Sequence, residues 1–449
     1  MNYSTINLKD YLNRSFQCEC GRTHTIHIDT VEIGRGAIKE VPKIIKQNGY
    51  QKVFVISDCN THKIAGQQVL DLLTEAKIPY LTSILRDADL VPDEKTIGTI
   101  MMDFEPGCDL IIAVGSGTLN DISRFISHRL GLPYHIIATA PSMDGYASTV
   151  APLIKNNLKT TFECHMPQAI ISDLEIIAQA PRTMIAAGFS DVIGKYTCLA
   201  DWELSAIIND EYYCQRVATM TRQSLERVIS LNDGIANGDP EAMEGLMEAL
   251  ILAGISMSYV GNSRPASGSE HHLSHFWEMR FLLEGKKPIL HGTKVGMGTV
   301  LVTKLYQHLR GEELDPGLFE KIATPNTNNW TEEIKRVFLE AAPEVVLLEE
   351  QNGKNSESGH KQRIGTIAKR WTEIKEVLAT VPEPEQVVDL LTGVGAPVYP
   401  SQVNISQELV LDGILYAKEI RPRYTILQLL WDLNLLSAYA TMITKECDS

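Results

Sequence analysis

Asp109-Leu110-Ile111-Ile112-Ala113-Val114 runs directly into Gly115-Ser116-Gly117-Thr118, and then into Leu119-Asn120-Asp121. A continuous apolar run of this length predicts a strand buried on both faces, as in a parallel sheet. Small residues at its end let backbone N–H groups approach a pyrophosphate closely. The helix read next, over Leu119–Leu130, adds partial positive charge at its N-terminus. The turn is not a complete Gly-x-Gly-x-x-Gly fingerprint, because Asn120 stands where the third glycine belongs.

Similar runs occur on both sides. Strands are expected at Lys52–Ser57, Tyr80–Leu85, Tyr134–Ala138 and Ala169–Ser172. Helical patterns fill the gaps at Gly36–Gln47, His62–Ala76 and Asp93–Phe104. Strand and helix in alternation predict an α/β domain with a mainly parallel sheet, Rossmann-like, over residues 1–180. Beyond Pro181 the strand signals stop. Arg182–Asn209, Cys214–Asn232, Pro240–Tyr259, Ser269–Leu283, Lys294–Leu309 and Gln402–Leu436 read as helical, so residues 181–449 are expected to form an all-helical domain. The polar, Gly/Ser-containing stretch Asn352–Lys361 reads as an exposed loop.

Composition excludes several classes of function. The chain has 449 residues and a formal net charge of −15, which argues against general nucleic-acid binding. Apolar stretches such as Leu110–Val114 and Ala249–Ile255 are far shorter than the ~20 residues that cross a bilayer, so membrane insertion is not expected. Met1–Asp10 shows no basic segment followed by an apolar run, which speaks against a secretory signal. Eight scattered cysteines then read as reduced and cytoplasmic. Cys18, Cys20 and His24 offer three metal ligands. Structural zinc sites prefer Cys-x2-4-Cys, however, and no second pair is placed to complete four ligands, so the expectation is a plain N-terminal turn.

Two further loops follow strands of the α/β half. Asp58 ends the strand Lys52–Ser57, where a carboxylate either accepts from a ribose hydroxyl, favouring NAD, or caps a turn. Thr139-Ala140-Pro141-Ser142-Met143-Asp144-Gly145-Tyr146-Ala147-Ser148 is rich in hydroxyls and small residues. The helical half holds a sharper pattern. Asp191 lies in Gly188-Phe189-Ser190-Asp191-Val192-Ile193-Gly194-Lys195. His271, His272 and His275 fall within Ser267–His275, and His291 heads another segment, His291–Gly298. His271 and His275 are i and i+4 and share a helix face, whereas His272 points about 100° away. One carboxylate and two imidazoles make a three-ligand site with an open position for a Lewis-acid metal. The bland readings are an Asp191–Lys195 helix pair and a solvent-facing Glu270.

These motifs, GSGTLND at 115–121, TAPSMDGYAS at 139–148, GFSDVIGKYT at 188–197, PASGSEHHLSH at 265–275 and HGTKVGMG at 291–298, resemble the glycerol-1-phosphate dehydrogenase family, most closely its bacterial branch. Its superfamily includes dehydroquinate synthase, glycerol dehydrogenase and the iron-type alcohol dehydrogenases. The resemblance implies a dehydroquinate synthase-like fold and NAD(P)H-dependent reduction of dihydroxyacetone phosphate to sn-glycerol 1-phosphate; the expected preference for NADH rests on Asp58 alone. It implies Asp191, His271 and His291 as ligands of one divalent metal, Zn²⁺ or Ni²⁺ with Fe²⁺ also suited. Gly115, Ser116, Gly117, Thr118, Leu119, Thr139, Ser142 and Ser148 would hold the dinucleotide, with Asp58 at the adenosine ribose. Asp144, Asp191 and His275 would contact substrate, and His275 is also a candidate proton donor. Iron-type enzymes carry a fourth ligand, a His four residues after the metal Asp. Lys195 stands there in this chain, so three ligands are expected. Arg264 and Lys294 flank the metal motifs and are candidates for the substrate phosphate. A homodimer is expected. The alternatives are a glycerol or other polyol dehydrogenase, a carbocycle-forming synthase (disfavoured because Asp stands at 191 where it would carry Glu), and a non-catalytic nucleotide sensor.

Overall fold

The apolar runs form the centre of a sheet. The computed structural model describes residues 8–87, 89–155 and 158–446; Cys447 and the first seven residues lie outside these. In chain order the strands are β1 (Ser15–Gln17), β2 (Thr23–Thr25), β3 (Thr30–Gly34), β4 (Val53–Asp58), β5 (Tyr80–Leu85), β6 (Leu110–Gly115), β7 (Tyr134–Ala138), β8 (Val150–Lys155), β9 (Leu158–Glu163) and β10 (Ala169–Asp173). Six of them form one parallel sheet in the order β3-β10-β7-β6-β4-β5. The sequence placed β4, β5, β6, β7 and β10 within a residue or so of these bounds. Residues of β4, β6, β7 and β10 are all buried, which is why apolar residues dominate them.

Three pairings were not anticipated. The β1–β2 and β8–β9 hairpins are short antiparallel ribbons outside the main sheet. Strand β3, Thr-Val-Glu-Ile-Gly, is a half-buried edge with one fully buried residue. β10 lies between β3 and β7, and its last residue, Asp173, accepts from the N–H groups of Gly36 and Ile38 at 3.1 and 3.2 Å. That carboxylate holds the exit of β3 in place.

The helices used below are α1 (Gly117–Leu130), α2 (Arg182–Ile193), α3 (Lys195–Asn209), α4 (Pro240–Val260), α5 (Ser269–Leu283), α6 (His291–Gly311) and α7 (Glu357–Leu378). The single helix expected over Arg182–Asn209 is two, broken at Gly194, so Asp191 and Lys195 are not a simple pair on one helix. The expected loop Asn352–Lys361 is also shorter. A preceding helix ends at Asn352, and Ser356 caps α7 by accepting from the Gly359 N–H. A polar first turn conceals a helix from a reading based on apolar periodicity.

Contacts divide the chain into two units: Met1–Val192 with Gln223–Asn262, and Ile193–Arg222 with Ser263–Ser449. The change from strands to helices near residue 180 is clear, yet α2 and α4 belong to the first unit. α4 is long and apolar enough to cross a membrane, but 78% of its apolar window is buried, as in a core helix. The second unit has its own core, in which Leu273, Phe276 and Trp277 of α5 and Met297, Leu301, Val302 and Leu305 of α6 meet Ile367 and Trp371 of α7. Each such side chain contributes about 1.5–3 kcal/mol by leaving water. The histidine-bearing helices are therefore fixed by apolar packing along their length.

Candidate nucleotide and metal sites

In the first unit the sheet order reverses between β4 and β6, since β5 lies on one side of β4 and later strands on the other. Ligands bind such sheets at the carboxyl ends of the strands flanking this reversal. β6 ends at Gly115 and α1 begins at Gly117, two residues earlier than the sequence indicated. Ser116 stands at the N-cap with no side-chain cap bond, and Ser116, Gly117 and Thr118 are half-exposed. The leading N–H groups of α1 are thus offered at the carboxyl end of β6, as an anion site requires. The Thr139 N–H donates to Gly115 O at 3.0 Å, joining this turn to the loop after β7.

That loop is held from behind by Arg124, a residue the sequence analysis passed over. Its guanidinium is fully buried and donates to Gly145 O, Tyr146 O, Val150 O and Asp121 Oδ1. Burial pushes the Asp121 carboxyl up to about 6, against the pull of Arg124. Asn120 adds a bond from Nδ2 to Gly145 O at 3.2 Å, which gives the residue in the third-glycine position a structural role. Thr139, Ser142, Asp144 and Ser148 are all buried within this loop. Asp58 is occupied as a cap: its Oδ1 accepts from Asn60 and Thr61 N–H, both at 2.8 Å.

Asp191 is fully buried near the end of α2, and its Oδ2 accepts the Asp144 N–H at 3.0 Å. α2 can approach this loop because residue 188 is glycine. A Cβ there would lie 1.8 Å from Pro141 O, a distance no side chain tolerates.

In the second unit α5 and α6 bring three imidazoles together. Ring centroids are 5.1 Å apart for His271–His291, 5.6 Å for His275–His291 and 6.1 Å for His271–His275. His275, Glu278 and His291 each present a ligand atom within 4.8 Å of the others. Lys294 Nζ lies 3.5 Å from Glu278 Oε1 and is itself buried, a cation beside the cluster. Arg264 is committed elsewhere: it donates to Glu211, to Tyr424 O at 2.9 Å and to Ser205 Oγ at 3.2 Å.

Glu270, whose bland reading is a solvent-facing side chain, is fully buried. Its Oε1 is 2.7 Å from His271 Nδ1, and it also accepts from Thr197 Oγ1 at 2.6 Å and Gly268 N–H at 2.7 Å. Burial raises this carboxyl, but the bonds from His271, Thr197 and Gly268 outweigh it and hold the group below the usual carboxylate range. With Nδ1 donating to Glu270, His271 presents the lone pair of Nε2. This carboxylate–imidazole arrangement is what orients histidines at metal centres. The helices pack closely here: a Cβ on Gly298 would meet Glu270 O at 2.7 Å. His272 is buried and takes no part in the cluster, as its helical phase predicts.

Comparison with known proteins fits this picture. Residues 32–181 match the family model of iron-containing alcohol dehydrogenases. The chain is 35% identical to the NAD(P)+-dependent glycerol-1-phosphate dehydrogenase of Halalkalibacterium halodurans, covering 94% of this chain and 96% of that one. It is 33% identical to the enzyme of the same name from Geobacillus stearothermophilus, covering 95% and 98%. Among solved structures, the NADH-dependent butanol dehydrogenase A of Thermotoga maritima superposes with a TM-score of 0.59 at 16% identity, over 93% of this chain and 98% of that one. That likeness shows the fold alone, the dehydroquinate synthase-like fold of the iron-type alcohol dehydrogenases.

Proposed function

The chain belongs to the glycerol-1-phosphate dehydrogenase family, and from that membership we infer its reaction: the reversible, NAD(P)-linked reduction of dihydroxyacetone phosphate to sn-glycerol 1-phosphate. The observation that carries this reading is identity of about a third over nearly the whole length of several relatives of that one name.

We propose that Asp191, His271 and His291 bind one divalent ion. The donor set fits: imidazole and carboxylate suit Zn²⁺, Ni²⁺ and Fe²⁺ alike, and Glu270 already holds His271 in the tautomer a metal needs. When bound, the ion supplies Lewis acidity toward a ketone oxygen, and the reduced nicotinamide supplies hydride to the adjoining carbon. The Gly115–Leu119 N–H groups cradle the pyrophosphate, with Thr139, Ser142 and Ser148 as further contacts. Arg124 keeps the 139–148 loop in register for this. Asp58 supports the ribose through its second oxygen while its first caps the helix after β4, which favours NADH. Asp144 and His275 orient the substrate, and His275 delivers the proton that completes the alcohol. Lys294, beside the histidine cluster, is better placed to meet the substrate phosphate than Arg264, which is held by Glu211, Ser205 and Tyr424. We further propose a cytoplasmic homodimer; none of the seven described cysteines forms a disulfide.

The test is NADH oxidation with dihydroxyacetone phosphate, before and after chelation, with Zn²⁺, Ni²⁺ or Fe²⁺ re-added singly and unphosphorylated dihydroxyacetone as the control. Turnover confined to the phosphorylated ketone, lost on chelation and restored by a metal, is the expected result. Equal turnover of dihydroxyacetone would make it a glycerol dehydrogenase. NADH binding without turnover would make it a sensor.

A further inference from the structure

Within the first unit, outside the nucleotide site, the β1–β2 hairpin brings two cysteines and a histidine together. Cys18 N–H donates to Arg22 O and Gly21 N–H to Cys18 O, both at 3.0 Å. Gly21 adopts φ +84°, the left-handed conformation that closes this turn. The donor atoms of Cys18, Cys20 and His24 lie within 4.8 Å of one another. Cys18 is 7% exposed and His24 is completely buried.

The orientation of His24 is informative. Its Nδ1 is 2.8 Å from Tyr259 O. A carbonyl only accepts, so Nδ1 carries the proton and Nε2 presents a lone pair. Nε2 faces Cys20 Sγ at 3.4 Å. A tetrahedral zinc with Zn–S near 2.3 Å and Zn–N near 2.0 Å sets neighbouring S and N atoms about 3.5 Å apart. The ring cannot swing away, since it is flanked by Phe16 at 5.4 Å and Tyr259 at 5.3 Å between centroids. A thiol–imidazole hydrogen bond alone would account for Cys20 and His24. It would not account for a second thiol converging on the same point.

We propose that Cys18, Cys20 and His24 bind a structural zinc ion, distinct from the metal of the histidine cluster. Thiolate and imidazole together select a soft-tolerant tetrahedral ion. On binding, each thiol releases one proton, two Zn–S bonds and one Zn–N bond form, and no electron is transferred. The fourth position is taken by another thiolate of the chain or by water. Strands of three residues make a marginal hairpin on their own. The ion cross-links it, and the His24–Tyr259 bond together with Arg22 Nη1 to Val260 O at 3.3 Å ties it to the end of α4. The Cys-x-Cys spacing, shorter than the common zinc knuckle, works because the turn continues through Gly21 and His24 returns on the second strand.

The experiment uses the full-length chain. Zinc is measured after dialysis against a mild chelator that strips the catalytic ion, and Co²⁺ replaces zinc in a parallel sample. The intact chain is expected to keep one zinc and, with cobalt, to show near-ultraviolet thiolate-to-metal absorption; Cys20→Ser and His24→Gln lose both. Serial Cys→Ser replacement of the other cysteines then identifies a protein-derived fourth ligand. Should the variants fail to fold, alkylation of the intact protein decides: Cys18 and Cys20 are expected to react only after strong chelation. Equal alkylation with and without zinc overturns the proposal. So does a retained zinc that survives Cys20→Ser but disappears in His291→Ala. Neither readout is dehydrogenase activity, so this site and the proposed reaction stand or fall separately.

Discussion

The two units build their sites from opposite materials. At the carboxyl end of the central strands of the first unit, the proposed binding surface is main chain: the uncapped N–H groups leading α1, and a loop whose carbonyls are gathered by Arg124. In the second unit it is side chains, three imidazoles and a carboxylate on two helices locked by apolar packing. A site made of main chain tolerates changes of side-chain chemistry but not an added Cβ where backbones touch. A site made of side chains depends on particular atoms and is indifferent to much of the surrounding chain.

The largest expected effect comes from His291→Ala. Losing an imidazole of the proposed metal set should cost kcat/KM roughly 10³-fold or more, while NADH affinity, measured by fluorescence titration, stays within a few-fold. Loss of both together would mean that the sites do not separate as described. Gly188→Ala tests the other kind of site. Its Cβ would sit 1.8 Å from Pro141 O, so either the loop or α2 must move, at about 3 kcal/mol or more. Denaturant melting should show the loss, and a wild-type midpoint would contradict the close approach.

His135 on β7 sharpens the contrast through pH. It is buried against Gln168, and burial lowers its pKa to about 4 from the ordinary 6.5. The folded state keeps this ring neutral in a range where the unfolded chain takes up a proton. Stability is therefore full above about 6.5 and falls as pH drops toward 4, by roughly 3 kcal/mol over the whole window. Asp121, raised to about 6, works in the opposite direction, its stabilisation fading as pH rises from about 4 to 6. His135→Asn should flatten the first trend while leaving the second, which melting at pH 7 and pH 5 would reveal. The smallest effect concerns Glu270→Gln. Its carboxylate orients His271 without being a ligand, so metal affinity should drop about 10–100-fold. Isothermal titration with Zn²⁺ checks this, and rescue of turnover by excess metal distinguishes positioning from misfolding.

What the sequence discloses follows the same division. Strands buried on both faces were legible because apolar residues dominate them, and β7 was placed at both ends. β3 was not, because an edge strand of mixed polarity has no such signature. In the helical half, the i, i+4 spacing put His271 and His275 on one face, and the structure brings the third candidate, His291 of α6, beside them. Glu270 escaped notice because a glutamate in a first helical turn is ordinarily solvated. Only the fold reveals that Thr197 and Gly268 bury it. Cys18, Cys20 and His24 were read as a plain turn from their spacing and the lack of a second pair, because a hairpin returning through a left-handed glycine cannot be read from a count of intervening residues.

The seating of β10 beside β3 has a consequence in time. The carboxylate of Asp173 that steadies Gly36 is 137 positions further along the chain. At a synthesis rate of about 5–20 residues per second, roughly 7–27 s pass between the ribosome making one partner and the other. Throughout that interval the nascent chain carries β3 with its hydrogen-bonding edge unmet. The short, half-polar character of Thr-Val-Glu-Ile-Gly suits a segment that must wait without recruiting a neighbour on the same message.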